Sequence, residues 1–203
     1  MRYRTRRKSV FSRNKMVEEM AGHPIERGEC IVNQTLETIL TRRSIRSFLC
    51  KPIPEEDIKQ IVEAAVHAPS AMGRETWQFT VVQSKEKIKK LAKVIEKELE
   101  RENYSMYHPE VLIIPSNLRE SPFGKEDNAC AMENIFLAAH SLGVGSVWIN
   151  QLNGISDRLA VREVLTELSV PADHVVYGMA ALGYPDETEI APKVRKGVVV
   201  YVK

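Results

Sequence analysis

Apolar residues at helical spacing alternate, along this chain of 203 residues, with short runs of β-branched and aromatic residues. The helical segments are longer than the strand-like ones, and the strands and helices occur in groups. This arrangement predicts an α+β fold in which helices flank one central, mostly antiparallel sheet. An alternation of helices and strands also permits a parallel α/β sheet, which stays open as the alternative.

Local signals predict the individual elements. Pro54 suits the first turn of a helix, and the acids after it match the positive end of the helix dipole. Ser156 is predicted to cap a later helix. The predicted helices cover about residues 36–41, 54–68, 85–101, 127–142 and 156–165, and the predicted strands cover 77–82, 111–114, 143–150, 175–182 and 198–202.

The composition predicts a compact protein with one core, because 43% of the residues are apolar and 28% are charged. The three cysteines, Cys30, Cys50 and Cys130, have no CxxC spacing and give neither a disulfide framework nor a tetrahedral zinc set. We therefore expect a reducing, cytoplasmic location and no bound metal. The longest apolar runs are far shorter than the ~20 residues of a membrane span, so no membrane association is expected.

The positive charge is concentrated at the start of the chain. Residues 1–15 contain seven Lys or Arg and no acid, so the rest of the chain is net acidic. Such a segment can bind nucleic acid or an anionic surface, but it lacks serial aromatics and a groove-reading motif, so a nucleic-acid partner is not expected. We predict a basic N-terminal extension over 1–33, which need not be ordered, and a folded domain over 34–203.

Two groups of cations have the spacing of an anion site. Arg42, Ser44 and Arg46 occupy alternate positions, so an extended chain points all three in one direction, where guanidinium and hydroxyl groups suit a phosphate. The alternative is a helix C-terminus whose arginines match the helix dipole. Lys193 and Arg195 are also at alternate positions and, taken alone, are typical of a solvated surface.

Small residues mark two further segments. Residues 69–76 lie between a predicted helix and a predicted strand, and their small side chains would let a ligand approach the backbone, although most such loops are only turns. Residues 143–146 contain a GxG pattern. This pattern follows a helix and opens a strand, which is the reverse of a dinucleotide-binding fingerprint.

These segments occur in an order typical of one family, and the chain resembles the FMN-dependent nitroreductases over nearly all of residues 34–203. The segments that carry the resemblance are TRRSIRSF at 41–48, APSAMGRETWQF at 68–79, AMENIFLAAHSLGVGSVWIN at 131–150, and AALGYPDE at 180–187 followed by KVR at 193–195. Four motifs in register are much more specific than any one of them.

The resemblance assigns candidate roles to individual residues. In that family the first basic cluster and the late Lys-x-Arg pair hold the FMN phosphate, which implies phosphate binding here by Arg42, Arg43, Ser44, Arg46, Lys193 and Arg195. The loop is implied to contact the flavin ring and ribityl chain through Pro69, Ser70, Ala71, Gly73 and Glu75. A backbone N–H beside the ring is implied to donate to the flavin N5, and the candidates are Gly143, Val144, Gly145 and Ser146, of which Gly145 and Ser146 are also candidate cofactor contacts.

The loop departs from the family's usual Pro-Ser-x-x-Asn-x-Gln-Pro-Trp pattern. Gly73 replaces the Asn, Glu75 replaces the Gln, and Thr76 replaces the Pro. Gly73 has no side chain to donate to the ring, so either the backbone or a water makes that contact or the flavin binds more weakly. We interpret Glu75 as a surface acid, with a carboxylate near the substrate as the alternative.

The resemblance implies an oxidoreductase that takes hydride from NADH or NADPH onto FMN and reduces a small planar acceptor, nitroaromatic or quinone, in a ping-pong cycle without a catalytic side chain. It also implies a homodimer with FMN at the interface and exchanged C-terminal segments. The apolar run Val198–Val202 independently predicts exchange, because an uncovered terminal strand invites edge pairing. Two alternatives stay open: other flavin chemistry on this fold, such as dehalogenation, ring oxidation or flavin breakdown, and a non-catalytic flavin-binding protein.

Overall fold

The computed structural model describes residues 33–186 and 195–203, and Gln34–Lys203 form one compact unit. The basic residues 1–15 and Lys193 lie outside the described residues. The helices are α1 Gln34–Thr41, α2 Glu55–Val66, α3 Lys85–Glu98, α4 Gly124–Ser141 and α5 Leu159–Glu167, and the strands are β1 Trp77–Val82, β2 Val111–Leu118, β3 Gly145–Ile149, β4 His174–Val175 and β5 Met179–Gly183.

The described strands form one antiparallel sheet, as predicted. Its main path runs β1-β2-β5-β3, and β4 pairs with the end of β2. Each of the four ladders is antiparallel, which excludes the parallel α/β alternative for this part of the chain. The fold is therefore α+β with helices against an antiparallel sheet.

Helices cover both faces of the sheet, which gives two apolar cores. Alternate residues of β2 point to opposite faces, so Leu112 and Ile114 belong to one core while Val111 and Ile113 belong to the other. The first core includes the buried faces of α3 and α5, and the second includes those of α2 and α4. The predicted inward face of α4 is confirmed by four buried residues: Met132, Ile135, Phe136 and Ala139.

The local start signal at Pro54 is confirmed. Pro54 precedes α2, whose first turn carries three acids. At the start of α3 the Ser84 hydroxyl accepts a hydrogen bond from the Lys87 N–H, a cap that was not predicted. The prediction for Ser156 was wrong. That residue is buried, and α5 begins three residues later with Arg158 at the N-cap. A serine hydroxyl caps only the helix that it directly precedes.

Three strand predictions differ from the structure. β2 continues four residues beyond the predicted end at Ile114, because β1 pairs with it as far as Asn117 and β4 pairs with Asn117 and Leu118. The single strand predicted over 175–182 is two strands, β4 and β5, which pair with different parts of β2. The run Val198–Val202 is exposed and forms no strand within this chain, because it has no neighbouring strand here.

Candidate functional site

The first basic cluster lies beside the start of β3. Ser44 forms a parallel bridge with Ser146, and the Ile45 N–H donates to the Ser146 carbonyl over 2.9 Å. A Cβ added to Gly145 would lie 3.0 Å from the Ile45 side chain, so the glycine permits this close approach. The structure therefore brings together two of the segments that the sequence singled out, residues 42–46 and 143–146.

Three guanidinium groups, those of Arg42, Arg43 and Arg195, lie near one another beside the start of β3. Partial burial, and then the nearby charges of Arg195 and Arg42, lower the pKa of Arg43. The repulsion shows that Arg195, although 152 positions later in the chain, lies close to the first cluster. The Arg42 Nε is 3.6 Å from a carboxylate oxygen of Glu133 on α4, and its guanidinium lies 5.8 Å from the centre of the Phe136 ring.

The chain is extended over part of this cluster, as the phosphate interpretation requires. Ile45 is buried while its neighbours Ser44 and Arg46 are exposed. One contact fits the helix-terminus alternative: the Arg43 guanidinium donates to the carbonyl of Leu40 in the last turn of α1. The helix-terminus interpretation therefore describes Arg43, and phosphate binding by the cluster stays a prediction.

The loop 69–76 is held from behind by a buried carboxylate on α4. Asp127 accepts hydrogen bonds from the Ser70 hydroxyl over 3.0 Å and from the Ala71 N–H over 2.9 Å. The Ser70 hydroxyl in turn accepts from the Glu75 N–H over 3.0 Å. This chain of bonds closes the loop on itself and fixes it to the first turn of α4.

The loop has a strained backbone that these bonds maintain. Met72, Gly73 and Glu75 have φ of 59°, 61° and 48°, in the left-handed region that favours glycine. Gly73 and Glu75 are exposed, and nothing lies within 4 Å of a Cβ added at Gly73. At the start of the loop Pro69 is exposed. At its end the Thr76 hydroxyl donates to the Asn117 side-chain oxygen over 2.6 Å. The loop thus presents its outer surface to solvent.

The loop and the basic cluster contact different parts of α4. Asp127 holds the loop, whereas Glu133 and Phe136 contact Arg42. Residues 127 and 133 are six positions apart, which corresponds to ~9 Å along a helix axis. Within one chain the two segments therefore flank a stretch of the same helix and are not in direct contact through these residues.

The segment 143–146 divides into two parts. The N–H groups of Gly143 and Val144 already donate to the carbonyls of His140 and Ala139 at the end of α4. Gly145 and Ser146 are buried in β3 and pair with β5. Of the four backbone donors proposed from the sequence, these two do not bond to the end of α4 and remain a prediction.

Other polar residues of the described chain have structural roles. The Asn134 amide donates to the Ala64 carbonyl of α2 over 2.8 Å. Among the described residues no three His, Cys, Asp or Glu side chains form a group that could hold a metal ion.

Within residues 33–186 and 195–203, no helix is both long and apolar enough to cross a membrane.

Sequence reasoning missed Asp127. In the sequence it is only the approximate first residue of the predicted helix 127–142. The signal that could have identified it is burial, since a carboxylate that is 4% exposed requires hydrogen-bond partners.

Comparison with known proteins agrees with this fold. The model of the Nitroreductase family matches residues 39–184. A relative from Archaeoglobus fulgidus, whose assigned name is NADH dehydrogenase/NAD(P)H nitroreductase, is 35% identical over 158 residues, 77% of this chain and 88% of the relative. The NADPH-flavin oxidoreductase of Vibrio harveyi is 28% identical over 184 residues, 84% of this chain and 74% of that protein.

A solved structure also matches this chain. The crystal structure of a nitroreductase with bound FMN from Bacteroides fragilis is 42% identical to this chain and superposes with a TM-score of 0.80. The match covers 85% of this chain and 100% of that one. Family model, curated relative and solved structure agree, and the chain belongs to the nitroreductase family.

Proposed function

We propose that this protein is an FMN-dependent NAD(P)H oxidoreductase that reduces a small planar acceptor of the nitroaromatic or quinone type in a ping-pong cycle. The observation that carries the proposal is the gathering of Arg42, Arg43 and Arg195 beside the start of β3. Family membership and the named activities of the relatives support the reaction class.

The residues present fit the phosphate of FMN. Three like charges in one place repel one another, and Glu133 is the only carboxylate that forms an ion pair with them in the described part of the chain. A dianion would relieve this repulsion, and guanidinium groups supply the strong, charge-assisted hydrogen bonds that phosphate oxygens accept. Ser44 and Arg46 are exposed on the same segment and are available to the same group, and we propose Lys193 as a further contact.

The remaining site residues would orient the rest of the cofactor. When bound, FMN supplies the acceptance and release of hydride. We propose that Ser70, Ala71 and the backbone of Gly73 and Glu75 contact its ring and ribityl chain. Gly145 or Ser146 would provide the backbone donor, and an oriented N–H of this kind stabilises negative charge without the need for a catalytic side chain.

We also propose a homodimer in which residues 198–202 add to the sheet of the partner. The five residues of this run are between 70% and 93% exposed, and the apolar side chains of α1, Leu36, Ile39 and Leu40, are about half exposed. Apolar surface of this extent is typical of a covered interface. Among the described strands, β1 pairs only with β2, so its outer edge is open to a further strand.

We propose a cytoplasmic location because two cysteines are free thiols. Cys50 and Cys130 are exposed and form no disulfide in the described chain. Exposed free thiols are typical of a reducing compartment.

The first experiment is the visible spectrum of the purified protein, with the released chromophore identified by mass, followed by turnover of NADH and NADPH with a nitroaromatic and a quinone. Bound flavin without turnover of either acceptor would favour other flavin chemistry or a non-catalytic protein. A preparation that stays colourless after addition of FMN would contradict the proposal.

The phosphate assignment is tested by two variants. Arg42→Ala and Arg195→Ala should each weaken FMN binding by about 2 kcal/mol, or ~30-fold, the loss expected for a charged hydrogen bond. Lys59→Ala on α2 removes one exposed positive charge elsewhere and should leave the Kd unchanged. Unchanged affinity in both arginine variants would contradict the assignment.

A further inference from the structure

One buried side chain of β2, that of Asn117, holds the end of the loop 69–76. The Thr76 hydroxyl donates to the Asn117 Oδ1 over 2.6 Å, and the Thr76 carbonyl accepts from the Leu118 N–H over 3.2 Å. Trp77, the first residue of β1, pairs with Asn117 in the sheet. The last residue of the loop is therefore attached to β2 through its side chain and through its backbone.

Asn117 itself is held by two strands and by a helix. It is 0% exposed, and both β1 and β4 pair with it. A Cβ added to Gly124, in the first turn of α4, would lie 3.2 Å from the Asn117 side chain. The Asn117 amide nitrogen lies 3.5 Å from the Oδ1 of Asn128, which is also buried. The oxygen that accepts from Thr76 thus belongs to the close-packed interior of the fold.

A threonine at position 76 requires such an anchor more than a proline would. Thr76 stands where the family's usual pattern has proline, whose ring fixes φ without any partner. A threonine leaves that dihedral unfixed, and Glu75 before it has a φ of 48°, in the region that is costly for a residue other than glycine. The side-chain hydrogen bond to a buried acceptor supplies the constraint that the proline ring would have supplied.

The loop has a separate anchor at each end. Asp127 holds its start through two hydrogen bonds. Asn117 holds its end through Thr76. Between the anchors, the N–H groups of residues 73–75 donate to acceptors within the loop itself. These internal bonds define the shape of the loop, whereas the two anchors together decide where that shape lies relative to the sheet and to α4.

We propose that Asn117 is a positioning residue of the flavin site, which acts through Thr76 to fix the loop against the flavin ring. The inference rests on the proposed function in one respect, the contact between this loop and the flavin. Because Gly73 has no side chain, contacts at that point of the loop come from its backbone. Backbone contacts are only as precise as the position of the whole loop, so the supporting hydrogen bond matters for binding.

Thr76→Val tests the proposal, because it removes the hydroxyl and keeps the shape of the side chain. The Kd of the purified protein for FMN and for riboflavin should each rise about tenfold, since one hydrogen bond to a buried partner is lost. Thr76→Ser keeps the hydroxyl and should bind both flavins like the unchanged protein. Thr80→Val on β1 is the matched control, because the Thr80 hydroxyl accepts from the Gln78 side chain and not from the loop, and it should leave both Kd values unchanged.

Two further measurements distinguish positioning from a loss of stability. Riboflavin lacks the phosphate, so Thr76→Val should weaken both flavins equally, whereas Arg42→Ala should weaken FMN alone. The reduction potential of the bound flavin should become more negative in Thr76→Val and return to normal in Thr76→Ser, because positioned donors stabilise the negative charge of the reduced ring. The double variant with Asn117→Ala should bind no more weakly than Asn117→Ala alone, since both changes remove the same bond, and additive losses would overturn the proposal.

Hydrogen exchange on the flavin-free protein separates this inference from the proposed function. The N–H groups of residues 73–75 should exchange faster in Thr76→Val than in the unchanged protein or in Thr80→Val. Normal flavin binding by the unchanged protein, together with unchanged exchange and unchanged Kd values in Thr76→Val, overturns the inference alone. If the unchanged protein binds neither flavin, the proposed function fails and the role of Asn117 in flavin binding fails with it, while exchange still decides whether Asn117 fixes the loop.

Discussion

Asp127 should be the residue on which the shape of the loop 69–76 depends. Its carboxylate is 4% exposed and accepts from the Ser70 hydroxyl and the Ala71 N–H. Hydrogen bonds to a charged group contribute about 1.5–3 kcal/mol each. Because Ser70 is only half-buried, water can replace part of this contribution in a variant.

Asp127→Ala should therefore lower the free energy of unfolding by about 3 kcal/mol. Asp127→Asn keeps an acceptor for one bond but loses the charge, so its loss should be smaller, about 1–2 kcal/mol. Both variants release the strained residues Met72 and Glu75, so FMN affinity should fall in the same order.

Glu126→Ala is the matched control, since it removes an exposed acid from the same first turn of α4 and costs no more than about 1 kcal/mol through the helix dipole. The assays are urea unfolding of the purified protein and fluorescence titration with FMN. If Asp127→Ala loses no more than Glu126→Ala in either assay, the reasoning is refuted.

Two further predictions concern charge and assembly. The Arg119 and Arg162 guanidinium groups, Arg119 above all, lower the pKa of Asp157 from its ordinary value of 3.8 to about 2. The folded-state pKa is the lower one, so this stabilisation is complete above pH 3.8 and is lost as the pH falls toward 2. Because the carboxylate is half exposed, we expect it to contribute only about 1 kcal/mol to the free energy of unfolding. The acid unfolding of Asp157→Asn should lack the part of the pH dependence that this carboxylate causes. Val200→Asp should disfavour strand exchange and give a monomer in sedimentation, whereas a dimer of unchanged strength would show that residues 198–202 lie outside the interface.

Local patterns predicted most of the elements because their signals lie within a few residues. In α3 the buried positions Ile88, Leu91 and Ile95 follow from spacing within one helix. β1 has the predicted bounds because its β-branched and aromatic run has clear ends. Ser156 shows the limit of such signals, since nothing local tells a capping serine from a buried one.

The candidate site was predictable in its residue types and not in its arrangement. The resemblance identified the arginine segment and the loop, but the partner of the loop is 57 positions away on α4. Two buried polar atoms without a hydrogen-bond partner in the described chain, the Tyr104 hydroxyl and the Gln151 Oε1, were not predicted either, because neither residue belongs to a motif and the lack of a partner exists only in the folded chain.

The amino-acid sequence by itself determined where helices and strands form and which family motifs the chain carries, because periodicity, caps and turn residues act over one or two turns of chain. The tertiary structure alone decided which distant groups meet: Arg195 with Arg43, Asp127 with Ser70, and Tyr104 with the end of β3. The reason is that sheet order is set by burial of both faces at once. Many orders satisfy the same local pattern, and only packing of the two cores selects one of them.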